Sequence, residues 1–221
     1  MALVTGGAVV VGHDGGPAES KPQLTVVIDS FYMDVTEVTV GQFERYRKVL
    51  KEEKGRNVVG EPANVSSPHQ EPVLGVSLTQ AQFYAKWAGE EIPTEAEWER
   101  AARGGVEGQP YSWGNTPPED LPDYASRWKT GPETVGLYAP NPYGLFNMGD
   151  NVHEWCADWY DADYYERSPE RNPQGPERGS RRASRGGAWR HHIKVSRCAA
   201  RSSIPPEFNY ADYGFRVARS V

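Results

Sequence analysis

Apolar positions recur at helical spacing in three stretches and at strand spacing, or in short isolated runs, elsewhere. Val40, Phe43, Tyr46 and Leu50 lie three or four apart, which predicts a helix with one buried face. Thr39 and Gln42 make a capping-box pattern at its start, and the helix runs to about Lys54. A second helix is predicted from a Ser77 cap to a Gly89 stop, with Ala81, Tyr84, Ala85 and Ala88 on one side. PTEAEWERAARGG repeats the logic: Thr94 caps, Glu97 reaches back, Trp98, Ala101 and Ala102 face inward, and a Gly-Gly pair ends the helix. Before the first helix, LTVVIDSFYMDVTEV alternates and is rich in β-branched and aromatic residues, so it reads as one strand or a pair. GRNVVGEPANVSSPHQEP is polar and turn-forming, a loop. After Gly105 the helical period ends. Short pieces such as YSWGN, TVGLYAPNPYGLF, NVHEWCADWY, RGGAWR and YGFRVARS alternate with Pro/Gly/Asn/Asp clusters, which describes a β core wrapped in long ordered loops. Such loops need an anchor, and a metal is one.

Composition narrows this to one globular domain over residues 1–221: 38% of the chain is apolar, while 18 Pro and 23 Gly leave a large irregular fraction. Seven Trp and 12 Tyr are far more aromatic surface than a disordered chain carries. The net charge of −6 is unevenly spread, since residues 177–221 hold ten Lys/Arg against three Asp/Glu. Nucleic-acid binding is one reading of that basic segment. The other pairs its arginines with the acidic body of the same domain, and without a zinc-finger or RNA-recognition signature no nucleic-acid partner is expected. No run approaches the ~18 apolar residues of a membrane span, and MALVTGGAVVVGHDGG lacks the basic start and cleavage site of a signal peptide. Cytoplasmic residence is the default expectation, with later surface display open. Cys156 and Cys198 can form one bridge, but two buried free thiols in a reducing compartment are expected.

Two stretches carry candidate chemistry. In GLFNMGDNVHEWCADWY, the side chains of Asn147, Asp150, Asn151 and Glu154 gather hard oxygen ligands that suit calcium; the alternative is an Asx-rich turn satisfying its own backbone. GGAWRHHIKVSRCAARSS holds two histidines, basic residues and a cysteine, and reads as a metal site, a nucleophile or a binding surface. Neighbouring side chains of a strand point to opposite faces, so His191 and His192 make a weak metal pair. Ser202 and Ser203 have no nucleophile elbow, and GGAVVVGHDGG lacks the residues of a phosphate loop. The binding-surface reading takes Trp189, Arg190, His191, His192, Lys194 and Ser196, then Ser203, Ile204, Glu207, Phe208, Tyr210 and Asp212. Aromatics and arginine interleaved with small polar groups are what protein-binding surfaces use. The alternation across Arg190 to Arg197 sends Ile193 and Val195 inward and their neighbours out.

FYMDVTEVTVGQFERY, PVLGVSLTQAQFYAKWAGEEIPTEAEWERAARGG, YSWGN, NPYGLFNMGDNVHEWCADWY, SRGGAWR and YGFRVAR, in this order, resemble the formylglycine-generating enzyme (sulfatase-modifying factor) family over nearly the whole chain. The resemblance implies an α+β variant of the C-type lectin fold, with two or three helices around small antiparallel sheets, and bound calcium. Carried over by residue, one calcium site falls on the side chains of Asn147 and Glu154 and the carbonyls of Asp150 and Val152. Asp150 departs from the family's usual glycine. A second site would fall around Asp123 and Tyr124. The family's oxidases bind copper through two cysteines five residues apart after the glycine pair. No such pair follows Gly186 and Gly187, so no copper is expected. The His-x3-His-x-Glu array of related sulfoxide synthases is also missing.

A domain of this kind without the cysteine pair is similar to the variable proteins of diversity-generating retroelements, which diversify a C-terminal window on a constant lectin-type scaffold. That resemblance implies a variable segment within about 185–217. Variable positions would lie among Trp189–Ser196 and Ser203–Asp212, and Arg185, Gly186, Gly187, Arg197, Ala199, Arg201, Gly214, Phe215 and Arg216 would be scaffold. The expected function is non-catalytic binding of a protein, or of a glycan. The alternatives are a regulatory or scaffolding module of a larger protein such as a kinase, and an oxidase with displaced metal chemistry.

Overall fold

The computed structural model describes residues 1–54, 61–64, 68–122, 131–190 and 193–221. In chain order it holds strands β1 (Ala2–Val4), β2 (Gly7–Val11), β3 (Leu24–Ile28) and β4 (Phe31–Met33), and helices α1 (Val40–Lys54), α2 (Leu78–Ala88) and α3 (Glu95–Ala102). Strands β5 (His153–Trp159), β6 (Arg182–Arg185), β7 (Ser202–Ile204), β8 (Tyr213–Gly214) and β9 (Ala218–Ser220) follow. The alternating stretch before α1 is a pair of strands, broken at Asp29 and Ser30.

Local chemistry explains the helix starts. Both Ser77 and Thr94 accept from the backbone N–H three residues on, and Gln80 and Glu97 accept in return from the cap N–H, so two capping boxes are complete. Thr39 and Gln42 make the same exchange ahead of α1. Helix α2 ends at Gly89 with φ 76°, a left-handed turn that favours glycine. Its inner face buries Ala81, Tyr84 and Ala85, whereas Ala88, expected on the same side, is exposed in the last turn.

Three small sheets surround the helices. The first has the order β1-β4-β9, the second pairs β2 with β3, and the third runs β7-β6-β5-β8. All pairings are antiparallel except β5 with β8, where His153 faces Tyr213 and Glu154 faces Gly214 in parallel register. The apolar core has two lobes. One gathers Trp98, Ala101, Ala102, Cys156 and Cys198 under the first two sheets, and the other packs Phe43, Tyr46, Tyr84, Trp155, Phe215 and Ile204 between α1, α2 and the third sheet.

Alongside the apolar lobes runs a buried ionic network centred on α3. Glu95 and Glu99 are both buried. Glu95 pairs with Arg201 at 2.7 Å and Arg185 at 2.9 Å, and Glu99 with Arg103 at 2.6 Å and Arg185 at 2.8 Å. Burial works to raise the Glu95 carboxyl, but Arg201 and Arg185 together hold it below the usual range. The basic C-terminal segment therefore pairs with acids of the body. Asp158 differs: its Oδ2 accepts the Glu95 N–H at 2.7 Å, and no arginine bridges to it among the described residues. Burial, reinforced by the Glu95 charge, pushes its carboxyl up to about 8. A raised pKa means that the folded state favours the proton, so this contribution to stability is complete below the ordinary value of 3.8 and is lost as pH rises through about 8. We predict that the thermal midpoint falls between pH 5 and pH 9, and that Asp158→Asn flattens the fall. Equal slopes for variant and parent in calorimetry would refute the assignment.

Candidate ligand-binding face

The candidate face is built where β6 ends. Arg185 is fully buried, and its guanidinium donates to the carbonyls of Cys198 at 2.8 Å and Ala200 at 3.2 Å. It therefore ties the start of the 185–201 segment to its end. Gly186 turns the chain with φ 76°. Gly187 then passes so close to Gly149 and Ser196 that a Cβ would stand 2.9 Å from the Gly149 carbonyl oxygen and 2.7 Å from the Ser196 hydroxyl. Only glycine fits that crossing. Its N–H donates to the Gly149 carbonyl, and the Trp189 N–H to the Asn151 carbonyl at 2.9 Å. Further on, the His153 N–H donates to the Asp212 carbonyl at 2.9 Å. Both parts of the C-terminal segment are thus hydrogen-bonded to the chain between Gly149 and His153.

The predicted contact residues divide under this arrangement. Arg190 is exposed and lies 4.5 Å over the half-buried Trp189 ring. Glu207 is exposed, and Phe208 and Tyr210 keep 46% and 48% of their surface. Their rings meet edge to face at 6.0 Å, and Tyr210 continues onto Tyr213, whose ring lies tilted against those of His153 and Trp155. Ser203 is half-buried, with the Arg181 guanidinium donating to its hydroxyl and its carbonyl. Ser196, Ile204 and Asp212 are buried, which corrects their placement on the contact surface. Ile204 belongs to the second core lobe, and its strand β7 presents it inward. His191 and His192 lie outside the described residues, as does the side chain of Lys194. The alternation of Arg190 to Arg197 does not make a strand: Ile193–Ser196 is a 3-10 turn, and no strand among the described residues pairs with it.

The two cysteines are free and buried. Burial pushes the Cys198 thiol up to about 12 and the Cys156 thiol well above its usual value, so both favour the protonated form that binds soft metals poorly.

The loop beneath the face is rich in oxygens. Asn147 and Asn151 adopt positive φ of 57° and 68°. The Asn147 Oδ1 accepts the Gly136 N–H at 3.0 Å while its Nδ2 donates to Asp150 Oδ1 at 2.8 Å. Glu154 is fully engaged: Arg216 donates to both oxygens at 2.7 Å and Trp98 Nε1 to Oε2 at 2.7 Å. Asp123 and Tyr124 lie outside the described residues. One residue that local spacing does not reveal is Glu37, fully buried before α1. Its Oε1 accepts from Asn151 Nδ2 at 3.1 Å, and its Oε2 has no hydrogen-bond donor among the described residues. Burial pushes the Glu37 carboxyl up to about 8, against the pull of Arg216. No three His, Cys, Asp or Glu side chains among the described residues converge as a ready-made metal cage. A cation here would need carbonyl and amide oxygens as well, and an all-oxygen donor set beside a vacant carboxylate oxygen fits calcium.

Residues 1–221 match the sulfatase-modifying factor enzyme 1-like domain family. The chain is 38% identical over 242 residues to a serine/threonine-protein kinase pkn1 of Chlamydia pneumoniae, an alignment that takes in all of the chain and 38% of the kinase. It is 38% identical over 189 residues to a formylglycine-generating enzyme of Streptomyces coelicolor, across 75% of the chain and 58% of the enzyme. Both relatives are longer than the part the chain spans. Among solved structures, variable protein 1 of Treponema denticola superposes with a TM-score of 0.82 at 24% identity, over 100% of the chain and 95% of that protein. The shared architecture is the C-type lectin fold, and no helix among the described residues is long and apolar enough to cross a membrane.

Proposed function

The chain belongs to the sulfatase-modifying factor enzyme 1-like family, and on that footing we propose that it is a non-catalytic ligand-binding domain whose C-terminal segment presents the contact surface. One observation carries the reading: within 185–217, buried arginine anchors alternate with exposed aromatic and basic side chains. Arg185, Arg201 and Arg216 are locked in carboxylates of the body, while Arg190, Phe208 and Tyr210 stand outside. A surface of that kind can change its outward residues at little cost to folding, because the energy of the segment resides in its anchors. This is the property a variable protein of a diversity-generating retroelement needs. The buried state of both thiols also supports binding over copper-dependent thiol oxidation. A protein ligand suits the exposed Arg190 over the half-buried Trp189 and the exposed Phe208–Tyr210 pair, since large rigid side chains give contact area at little entropic cost. The alignment with 38% of the kinase supports a second reading, in which the domain is a recognition module within a longer polypeptide.

Sequencing of the encoding locus tests the retroelement reading. The expected result is a reverse transcriptase gene and a near-copy of the terminal coding segment that differs at adenines, with variation at codons 189–192, 203 and 207–210 and none at 185–187 or 214–216. Lack of both elements would overturn it. The surface itself is tested by thermal unfolding. Arg190→Ser, Phe208→Ser and Tyr210→Ser are each expected within about 0.5 kcal/mol of the parent, whereas Ile204→Ser costs roughly 2 kcal/mol or more. Equal losses at all four positions would mean that the aromatic pair is core.

A further inference from the structure

Among the described residues five arginines are buried, and four of them have a carboxylate to neutralise them. Arg103 pairs with Glu99, Arg185 with Glu95 and Glu99, Arg201 with Glu95, and Arg216 with Glu154. Arg100, in the last turn of α3 and 7% exposed, has no carboxylate partner among the described residues. Its Nε donates to the Thr5 carbonyl at 2.6 Å, its Nη2 to Gly6 at 2.8 Å, and its Nη1 to Ala8 at 3.3 Å and Gly7 at 3.5 Å. Carbonyl dipoles satisfy these N–H groups but carry no net charge, and a buried guanidinium without a counter-ion favours the approach of an anion. Nη2 has a second N–H, and the approach to it is open on the Gly7 side: a Cβ at Gly7 would meet only that nitrogen, at 3.9 Å.

Arg100 lines a cavity of about 370 Å³ between the β2–β3 hairpin and the end of α3, a volume at the small end of the range for ligand sites. Val9, Val10 and Val106 make its walls aliphatic, and the Thr5 and Tyr143 hydroxyls, 3.1 Å apart, add a polar edge. The other arginine of the lining, Arg103, is already neutralised by Glu99. Glu107 also lines the cavity and is exposed, so its charge repels a plain anion and attracts an ammonium. We propose that this cavity binds a small zwitterion of the amino-acid class, with its carboxylate on Arg100, its ammonium toward Glu107 and an aliphatic body against the three valines. None of these residues lies in the 185–217 segment, so the site stands or falls separately from the contact surface there.

The experiment is isothermal calorimetry and thermal unfolding of the full chain with leucine and valine, and with two analogues: leucinamide, which lacks the carboxylate, and N-acetyl-leucine, which lacks the ammonium. At least one of the two amino acids is expected to bind in the micromolar to millimolar range and to raise the thermal midpoint. Each analogue is expected to bind about tenfold more weakly or worse, the cost of one lost charge-assisted contact. Substitution of Arg100 also removes the anchor of the turn between β1 and β2, so two exposed positions carry the mutational test. Thr25→Phe, on β3, fills the cavity and is expected to abolish binding while the unliganded midpoint stays close to the parent's. Glu107→Gln is expected to weaken the amino acid and leave N-acetyl-leucine unchanged. A parent whose heat and midpoint ignore both amino acids at millimolar concentration would overturn the proposal. So would an analogue that binds as tightly as the amino acid, or undiminished binding by Thr25→Phe.

Discussion

Arg185→Met is expected to lower stability by about 3–5 kcal/mol, which for a chain of this length is a drop in thermal midpoint of about 10 °C. Arg185 is wholly buried and satisfies groups from three parts of the chain. Its Nε stands 2.9 Å from Glu95, its Nη2 donates to Glu99 and to the Tyr165 hydroxyl at 2.8 Å each, and its Nη1 reaches the carbonyls of Cys198 and Ala200. Methionine matches its length but leaves two carbonyls and the Tyr165 hydroxyl short of a donor. Glu95 keeps Arg201 and Glu99 keeps Arg103, so the loss is bounded. Because the residue ties both ends of the 185–201 segment together, the variant is also expected to lose ligand binding before it unfolds. A double-mutant cycle with Glu99→Gln isolates the pair. A coupling energy below about 0.5 kcal/mol would show that the two side chains do not share their stabilisation.

Much of the fold was legible because the signals were local. Capping boxes at Ser77 and Thr94 need only four consecutive residues, and each formed as its spacing predicts. The inward stripe of Trp98, Ala101 and Ala102 followed from the helical period. The ordered family motifs added the lectin-type architecture, which periodicity alone does not reach. The charges on α3 were not legible in the same way. Nothing in the helical period marks Glu95, Glu99, Arg100 and Arg103 as inward, yet all four are buried. Glu95 and Glu99 find Arg185 and Arg201 from about a hundred positions away, and Arg100 donates to the carbonyls of Thr5 and Gly6 in the first turn of the chain. Burial of a charge depends on partners that local spacing cannot display.

The same limit shaped the candidate site. Oxygen-bearing residues of 147–154 stand out in sequence because they are adjacent. Glu37 lies more than a hundred residues earlier in an ordinary alternating stretch, and only the folded chain brings it to Asn151. Ile204 and Asp212 read in sequence as contact surface, but the β6–β7 register and the second core lobe draw Ile204 inward, and Asp212 is buried with its carbonyl accepting the His153 N–H. The spacing of a variable-looking segment identifies the segment; its packing decides which positions face out.

Glu154→Ala is expected to cost about 3–5 kcal/mol, and the deficit should be as large in chelator as in calcium. The carboxylate neutralises Arg216, itself fully buried, and accepts the Trp98 indole N–H at 2.7 Å. Alanine leaves a buried guanidinium hydrogen-bonded, among the described residues, to the carbonyls of Asp34 and Phe146, and an indole N–H without its acceptor. Glu154→Gln keeps an acceptor but not the charge, so its loss should be smaller, about 1–3 kcal/mol. Denaturant unfolding of both variants with and without calcium separates the two roles that this residue can play. A deficit that persists in chelator assigns Glu154 to Arg216. A deficit that vanishes in chelator would mean that Glu154 stabilises the fold through the metal, and the ion pair would then be incidental.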